Sequence, residues 1–399
     1  MNSQKSGVRR SVDASRQKSE AGIACRVLLC VLCVAVFSMA AGQATDQKND
    51  SASIFSSISR WREAAPGYEF SFPRDHASHP QYRLEWWYYT GNLETGDGRR
   101  IGYQLTFFRT GIVTRPLVAS RWAVRDLYIA HFAISDIEHE KLYWFERINR
   151  AGIGWAGADE KVYRVWNEDW QAWLEENDHL IEAAEGDFKL ELRLTPEKKE
   201  ILHGENGLSR KGPSAENASH YYSVTRFQTR GRVIIDGRPF DVTGASWMDH
   251  EFGTSFLGKE QKGWDWFSIQ LDDHRELMLL RIRRKDGSID PHSSGTLVEK
   301  DGSAIHIAFD EFQLTPLSVW RSEASGAEYP VEWKLEVPRF DLSLRIRAAF
   351  KDQELIAEES AGVTYWEGSV VVEGARGRGY LEMTGYAGQS MGDVMGDRR

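Results

Sequence analysis

Cysteine is almost missing from this sequence of 399 residues: its three thiols, Cys25, Cys30 and Cys33, all lie close to the N-terminus. They fall in a segment that reads as a targeting signal, so the processed chain is expected to carry no thiol. That excludes disulfide stapling, zinc–thiolate sites and cysteine catalysis together. No glycine-rich phosphate loop precedes a helical pattern, and no serine sits in a nucleophile elbow, so a serine-hydrolase reading has no motif behind it. Basic charge is in deficit as well. The formal net charge is −9, and without residues 1–44 the balance is 44 basic against 57 acidic side chains, a net charge of −13. A surface this acidic repels nucleic acid and anionic membrane faces, and neither is an expected partner.

The N-terminal segment has the composition of an export signal. Arg9, Arg10, Arg16, Lys18 and Arg26 precede an apolar run over residues 27–41. A run of about 15 residues suits the core of a signal peptide and is short for a membrane span. Small residues (Ala40, Ala41, Gly42 and Ala44) follow it. The expectation is a signal peptide over 1–44, a periplasmic or secreted protein, and no stable membrane insertion after cleavage. An uncleaved N-terminal anchor is the alternative.

What the sequence has in quantity is tryptophan, with 15 residues, a bias toward aromatic-lined interiors or pockets. The length exceeds what one hydrophobic core usually serves, so two domains are expected. Residues 45–65 read as a polar linker. From Tyr82 onward nearly every segment alternates with period two, the pattern of strands. Turn pairs such as Asp236-Gly237, Asp286-Gly287 and Asp301-Gly302 separate the runs. The stretch 166–174 fits neither the helical nor the strand period cleanly. An internal echo is present: Trp86-Trp87-Tyr88-Tyr89-Thr90-Gly91-Asn92-Leu93 matches Trp264-Asp265-Trp266-Phe267-Ser268-Ile269-Gln270-Leu271 in length and pattern. Each is followed by a short turn and an apolar return strand ending in arginine. The expected architecture is all-β, with two antiparallel β-barrel domains in tandem over 66–250 and 251–390. Barrels of about eight strands enclose room for one small ligand.

Three clusters could carry chemistry. Asp265 shares a strand face with Phe267, Ile269 and Leu271, and an acid desolvated there would keep its proton and act as a general acid, unless an arginine pairs with it. In Ser246-Trp247-Met248-Asp249-His250-Glu251-Phe252-Gly253, three consecutive ionisable residues stand between aromatics. Asp249 with His250 could orient a water, although an extended strand points His250 away from Asp249 and Glu251; a structural network at the domain boundary is the other reading. The third cluster, His76, His79 and Glu85 beside Trp86 and Trp87, is an incomplete metal-ligand set, and no metal is expected there. Glu85 and Glu367 read as strand carboxylates satisfied by structural partners.

The motifs HPQYRLEWWYYTGNL, HYYSVTRFQTRG, GASWMDHEFGTS, GWDWFSIQLDDHRELMLLRIR and YWEGSVVVEG with GRGYLEMTGY occur in that order. Over residues 66–386 the sequence resembles the lipocalin-like family of AttH-type proteins and carotenoid 1,2-hydratases, whose members are often labelled predicted secreted hydrolases. The resemblance implies two lipocalin-like barrels that meet at an interface. It also implies an apolar isoprenoid- or lipid-like ligand and, for an enzyme, cofactor-independent addition of water to a double bond. Carried over by motif, Asp249, His250 and Asp265 would be the catalytic acids and histidine. Trp86, Trp87, Tyr221, Trp247, Trp264 and Trp266 would wall the ligand. A non-catalytic carrier of a hydrophobic ligand and a secreted hydrolase are the alternatives.

Overall fold

The computed structural model describes residues 60–391 apart from 117, 119, 256 and 375. The expected signal peptide, its cysteines and most of the expected linker lie outside the described residues. The described chain is built from two antiparallel sheets. The first contains β1 (Leu84–Thr95), β2 (Arg100–Gly111), β3 (Asp126–Asp136), β4 (Lys141–Arg150), β5 (Ala156–Ala158), β6 (Arg164–Asn167), β7 (Trp170–Glu175), β8 (Asp178–Glu185), β9 (Phe188–Pro196), β10 (Ile201–Leu202), β11 (Leu208–Arg210), β12 (Ala218–Ile235) and β13 (Arg238–Ser255). The second contains β14 (Gln261–Leu271), β15 (Glu276–Arg284), β16 (Ser294–Val298), β17 (Ala304–Ile307), β18 (Gln313–Arg321), β19 (Glu328–Val337), β20 (Leu342–Ala348), β21 (Glu354–Ala357), β22 (Val363–Glu373) and β23 (Gly377–Met383). Among the described residues no helix is long and apolar enough to cross a membrane.

The two sheets repeat one strand order. The first runs β4-β3-β2-β1-β13-β12-β9-β8-β7, and the second β17-β16-β15-β14-β23-β22-β20-β19-β18. The register repeats too: Tyr88 stands opposite Asp249 between β1 and β13, and Trp266 opposite Glu382 between β14 and β23. The echo between the two tryptophan motifs is thus a structural duplication. Both sheets curl on themselves toward barrels, β5 and β6 extending the first.

Local chemistry explains the chain reversals. Asp236 and Gly237 adopt positive φ, 50° and 73°, as a two-residue hairpin between β12 and β13 requires. The ambiguous stretch 166–174 is the hairpin of β6 and β7, paired at Asn167 and Trp170, with Glu168 at φ 59°. Its pattern matches neither period because the turn interrupts the alternation. The expected domain boundary at 250/251 falls inside β13, which continues in the first sheet to Ser255. The chain changes sheets between Ser255 and Gln261, where the β-ladder of β13 ends.

Alternation on β1 and β14 divides side chains between two buried surfaces. Trp87, Tyr89 and Leu93 enter the core of the first barrel, and Phe267, Ile269 and Leu271 that of the second. Tyr88, Trp264 and Trp266 face the other way, into a third apolar layer shared with Tyr221, Trp247, Leu280, Ile282 and Tyr365. This seam joins the two sheets. Polar contacts fix its register: Ser135 Oγ donates to Gln353 Oε1 at 2.9 Å, His131 Nδ1 lies 2.6 Å from the Tyr365 hydroxyl, and His203 Nδ1 lies 2.9 Å from Thr296 Oγ1.

Candidate functional site

A narrow cleft of about 60 Å³, partly open to solvent, lies in this seam. The first sheet contributes Trp86 and Tyr88 from β1, Phe108 from β2, Tyr221 from β12, and Asp249 and Glu251 from β13. The second contributes Trp264 and Trp266 from β14, Leu280 and Ile282 from β15, and Glu382 from β23. Equivalent aromatics of the duplicated motif meet across it. Trp86 and Trp264 have ring centroids 6.0 Å apart, and Tyr88 meets Trp266 edge to face at 5.1 Å. Its aromatic and apolar lining, with a few polar groups converging on it, is the character of a site for a hydrophobic molecule.

Asp249 is the polar centre of the first-sheet wall. It is 7% exposed, and burial pushes its carboxyl up to about 7. The Tyr221 hydroxyl donates to its Oδ1 at 2.7 Å, and Ser223 Oγ donates to the same oxygen; both oppose the rise without overcoming it. Oδ2 is buried and meets no donor in full hydrogen-bonding geometry, while the Trp247 indole beside the acid also acts to lower the carboxyl. Trp266 Nε1 donates to the Tyr221 hydroxyl at 3.1 Å and fixes it over the acid. Glu251 is neutralised differently, by Lys211 and a hydrogen bond from Ser219.

The opposite wall carries a second acid, Glu382. Glu367 and Glu382 stand directly across from each other on β22 and β23. Tyr88 donates to Glu367, and Trp264 Nε1 donates to Glu382 Oε2 at 2.9 Å. Burial raises both carboxyls, and Glu382 beside Glu367 raises the latter further by like-charge repulsion. In the duplicated register Glu382 occupies the place of Asp249, and Glu367 that of Ser223.

Of the residues named from sequence, Trp86, Tyr221, Asp249, Trp264 and Trp266 line the cleft. Trp247 packs edge-on against Trp266 at 6.3 Å in the same seam. The other three lie elsewhere. His250 points into the first barrel, where Nε2 lies 3.0 Å from Glu85 Oε1 and Nδ1 lies 2.9 Å from the Tyr222 hydroxyl, so it shares no site with Asp249. Trp87 stacks on His250 at 5.0 Å on that same far side. Asp265 faces the second barrel, as its alternation requires, but it is not a lone acid. Arg281 and Arg283 pair with it at 2.8 and 3.2 Å, and the Tyr386 hydroxyl donates to it at 2.9 Å. Two guanidinium groups sit on its carboxylate, so Asp265 is an ion-paired residue rather than the lone desolvated acid its strand face suggested.

His79, Glu85 and His250 bring three potential metal-ligand atoms within 4.8 Å of one another. Glu85 is already engaged: Arg109 Nε donates to Oε2 at 3.0 Å, while His79 and His250 share Oε1. The Arg109 charge and the two imidazoles hold the Glu85 carboxyl well below the usual range. The cluster is a closed hydrogen-bond network, and a buried guanidinium beside it disfavours a second cation.

Sequence reasoning missed Tyr88, Lys211, Glu251 and Glu382. For Glu382 a faint signal exists, an acid between Leu381 and Met383 on a strand buried on both faces.

The profile of the AttH-like family matches residues 63–386. The chain belongs to the AttH-like family. As an AttH-like protein it is similar to the crystal structure of an AttH candidate from Nitrosomonas europaea, with 37% identity, a TM-score of 0.76, and coverage of 82% of this chain and 99% of that one. Kievitone hydratase from Nectria haematococca shares the fold, with a TM-score of 0.61 at 13% identity, covering 82% of this chain and 96% of that one. No curated protein sequence matches this AttH-like chain. The all-β, tandem lipocalin-like architecture of the family is the architecture described above.

Proposed function

We propose that this protein binds an apolar, unsaturated molecule of isoprenoid or lipid type in the seam cleft and hydrates it, with Asp249 as the acid. The observation that carries this reading is the Asp249 carboxyl, titrating at about 7 on an aromatic-walled cleft. Near neutral pH such a group is both a competent proton donor and, once ionised, a competent acceptor. Asp249 gives its proton to one alkene carbon, and the π electron pair forms the new C–H bond. Positive charge then rests on the neighbouring tertiary carbon. The faces of Trp86, Trp264 and Trp266 stabilise it, each by about 0.5–2 kcal/mol. A water oxygen supplies the pair for the C–O bond, and the resulting oxonium returns its extra proton to Asp249. No redox equivalent enters or leaves, so the cycle needs no cofactor. Tyr221 and Ser223 keep the carboxyl oriented through both protonation states. Export directed by residues 1–44 is part of this proposal.

The test is incubation of the full chain with an acyclic isoprenoid alcohol such as geraniol in oxygen-18 water, with products read by mass spectrometry. The reading predicts a product one water heavier that carries the label. Asp249→Asn should lower its formation by at least about 100-fold. Alkene that binds and is recovered unchanged would identify a carrier instead.

A further inference from the structure

The carboxyl groups of the cleft outnumber its cations. Among the lining residues Lys211 is the one cation, and it is paired with Glu251. The donors that reach the other two carboxyls are neutral: Tyr221 and Ser223 to Asp249, and the Trp264 indole to Glu382. Asp249, more than nine-tenths buried, also has the neutral Trp247 indole within reach, and its Oδ2 meets no donor in full hydrogen-bonding geometry. Around these acids stand the faces of Trp86, Tyr88, Tyr221, Trp264 and Trp266. Uncompensated carboxyls inside an aromatic enclosure are the recognition chemistry of a weakly hydrated organic cation.

We propose that the cleft is a receptor for positive charge embedded in an apolar molecule, so that it takes hydrophobic amines and quaternary ammonium compounds in preference to neutral molecules of the same shape. The inference rests on the cleft being the ligand site, and it specifies the charge that the ligand, or the reacting species, carries there. The duplicated architecture supports it: acids on both walls, Asp249 on one and Glu382 on the other, put negative potential on both sides of a bound cation.

Protonation sets the sign of the pH dependence. Burial holds Asp249 and Glu382 toward their neutral forms, and Glu367 beside Glu382 likewise, so an arriving cation must ionise the two cleft acids and release protons. Binding of a permanent cation therefore strengthens as pH rises through about 7, the region where Asp249 titrates, and weakens in acid. Other ionisable groups face the same space. Glu251 adds to the attraction and Lys211 opposes it, and Tyr88, Tyr221 and Tyr365 stay neutral because burial raises them well above their ordinary range. Arg83 lines the adjoining crevice.

The experiment compares hexyltrimethylammonium with the uncharged hydrocarbon in which carbon replaces its nitrogen, using quenching of tryptophan fluorescence in the full chain. Isothermal titration in buffers of different ionisation enthalpy counts the protons released. The expected result is an advantage of about tenfold or more for the ammonium ion at pH 8, equivalent to about 1.4 kcal/mol. The advantage shrinks at pH 5, and binding at neutral pH releases protons. Asp249→Asn and Glu382→Gln should each reduce the advantage without abolishing binding of the hydrocarbon. Equal or tighter binding of the hydrocarbon at pH 8 overturns the cation inference and leaves the apolar-ligand reading standing. Failure of both probes to bind overturns the two together.

Discussion

Asn92 and Gln270 make the same reach in opposite directions across the seam. Asn92 Nδ2 donates to the Gly379 carbonyl on β23 at 3.1 Å, and Gln270 Nε2 donates to the Ser246 carbonyl on β13 at 2.9 Å. The two residues are equivalent in the repeated motif, and so are their acceptors in the repeated register. This reciprocal pair holds the sheets at the spacing that leaves the cleft between them. Replacing either amide by alanine strands a buried carbonyl and should cost about 1–3 kcal/mol. Chemical denaturation of Asn92→Ala and Gln270→Ala checks this, and each variant should also weaken binding of an apolar fluorescent probe.

Asp249 should be a stability liability in alkali. Its folded value, about 7, lies above its ordinary 3.8, so the folded state holds the proton more tightly than the unfolded chain. The resulting stabilisation is complete below pH 4 and is lost as pH rises through 7. A shift of three units corresponds to about 4 kcal/mol. Asp249→Asn keeps the shape and carries no charge, so it should raise the unfolding temperature markedly at pH 8 and little at pH 4.

The opposite outcome is expected at Asp265. Its removal leaves Arg281 and Arg283 without their shared carboxylate. Asp265→Asn should destabilise the fold by about 3–5 kcal/mol, measured by urea denaturation at pH 7. Stability and probe binding should separate the two aspartates, Asp249 on the cleft and Asp265 in its ion pair.

His250 provides a control for the geometry of β13. Burial lowers it to about 4, so it is neutral near pH 7. His250→Ala removes the contacts to Glu85 and Tyr222 and the stacking surface of Trp87. Stability should fall by about 2–4 kcal/mol, while affinity for a probe in the seam cleft stays near that of the parent chain.

The fold was readable in the sequence because alternation and turn chemistry are local. Asp236-Gly237 announced a hairpin, and the Trp86 and Trp264 motifs announced a duplication. The side of the strand on which Asp265 lies was also legible, from Phe267, Ile269 and Leu271. What decides its role was not: the pairing strand β15 brings Arg281 directly opposite, and in the sequence Arg281 is only one residue inside an apolar run. Likewise alternation separates His250 from Asp249, but it cannot tell which of two buried faces holds a cleft. Strands buried on both sides present acids amid apolar residues on either face, and the contrast between Asp249 and Asp265 emerges only when the second sheet is in place. Glu382 stayed hidden for the same reason, since its partner in the repeat is recognised through strand register.

The central claim is that the Asp249 carboxyl keeps its proton near neutrality on an apolar cleft. Carbon-13 NMR of aspartate side-chain carboxyls in the full chain, assigned by comparison with Asp249→Asn, measures it directly. The account predicts that the signal missing from the variant titrates with a midpoint close to 7. A midpoint near 4, the ordinary carboxylate range, would contradict it.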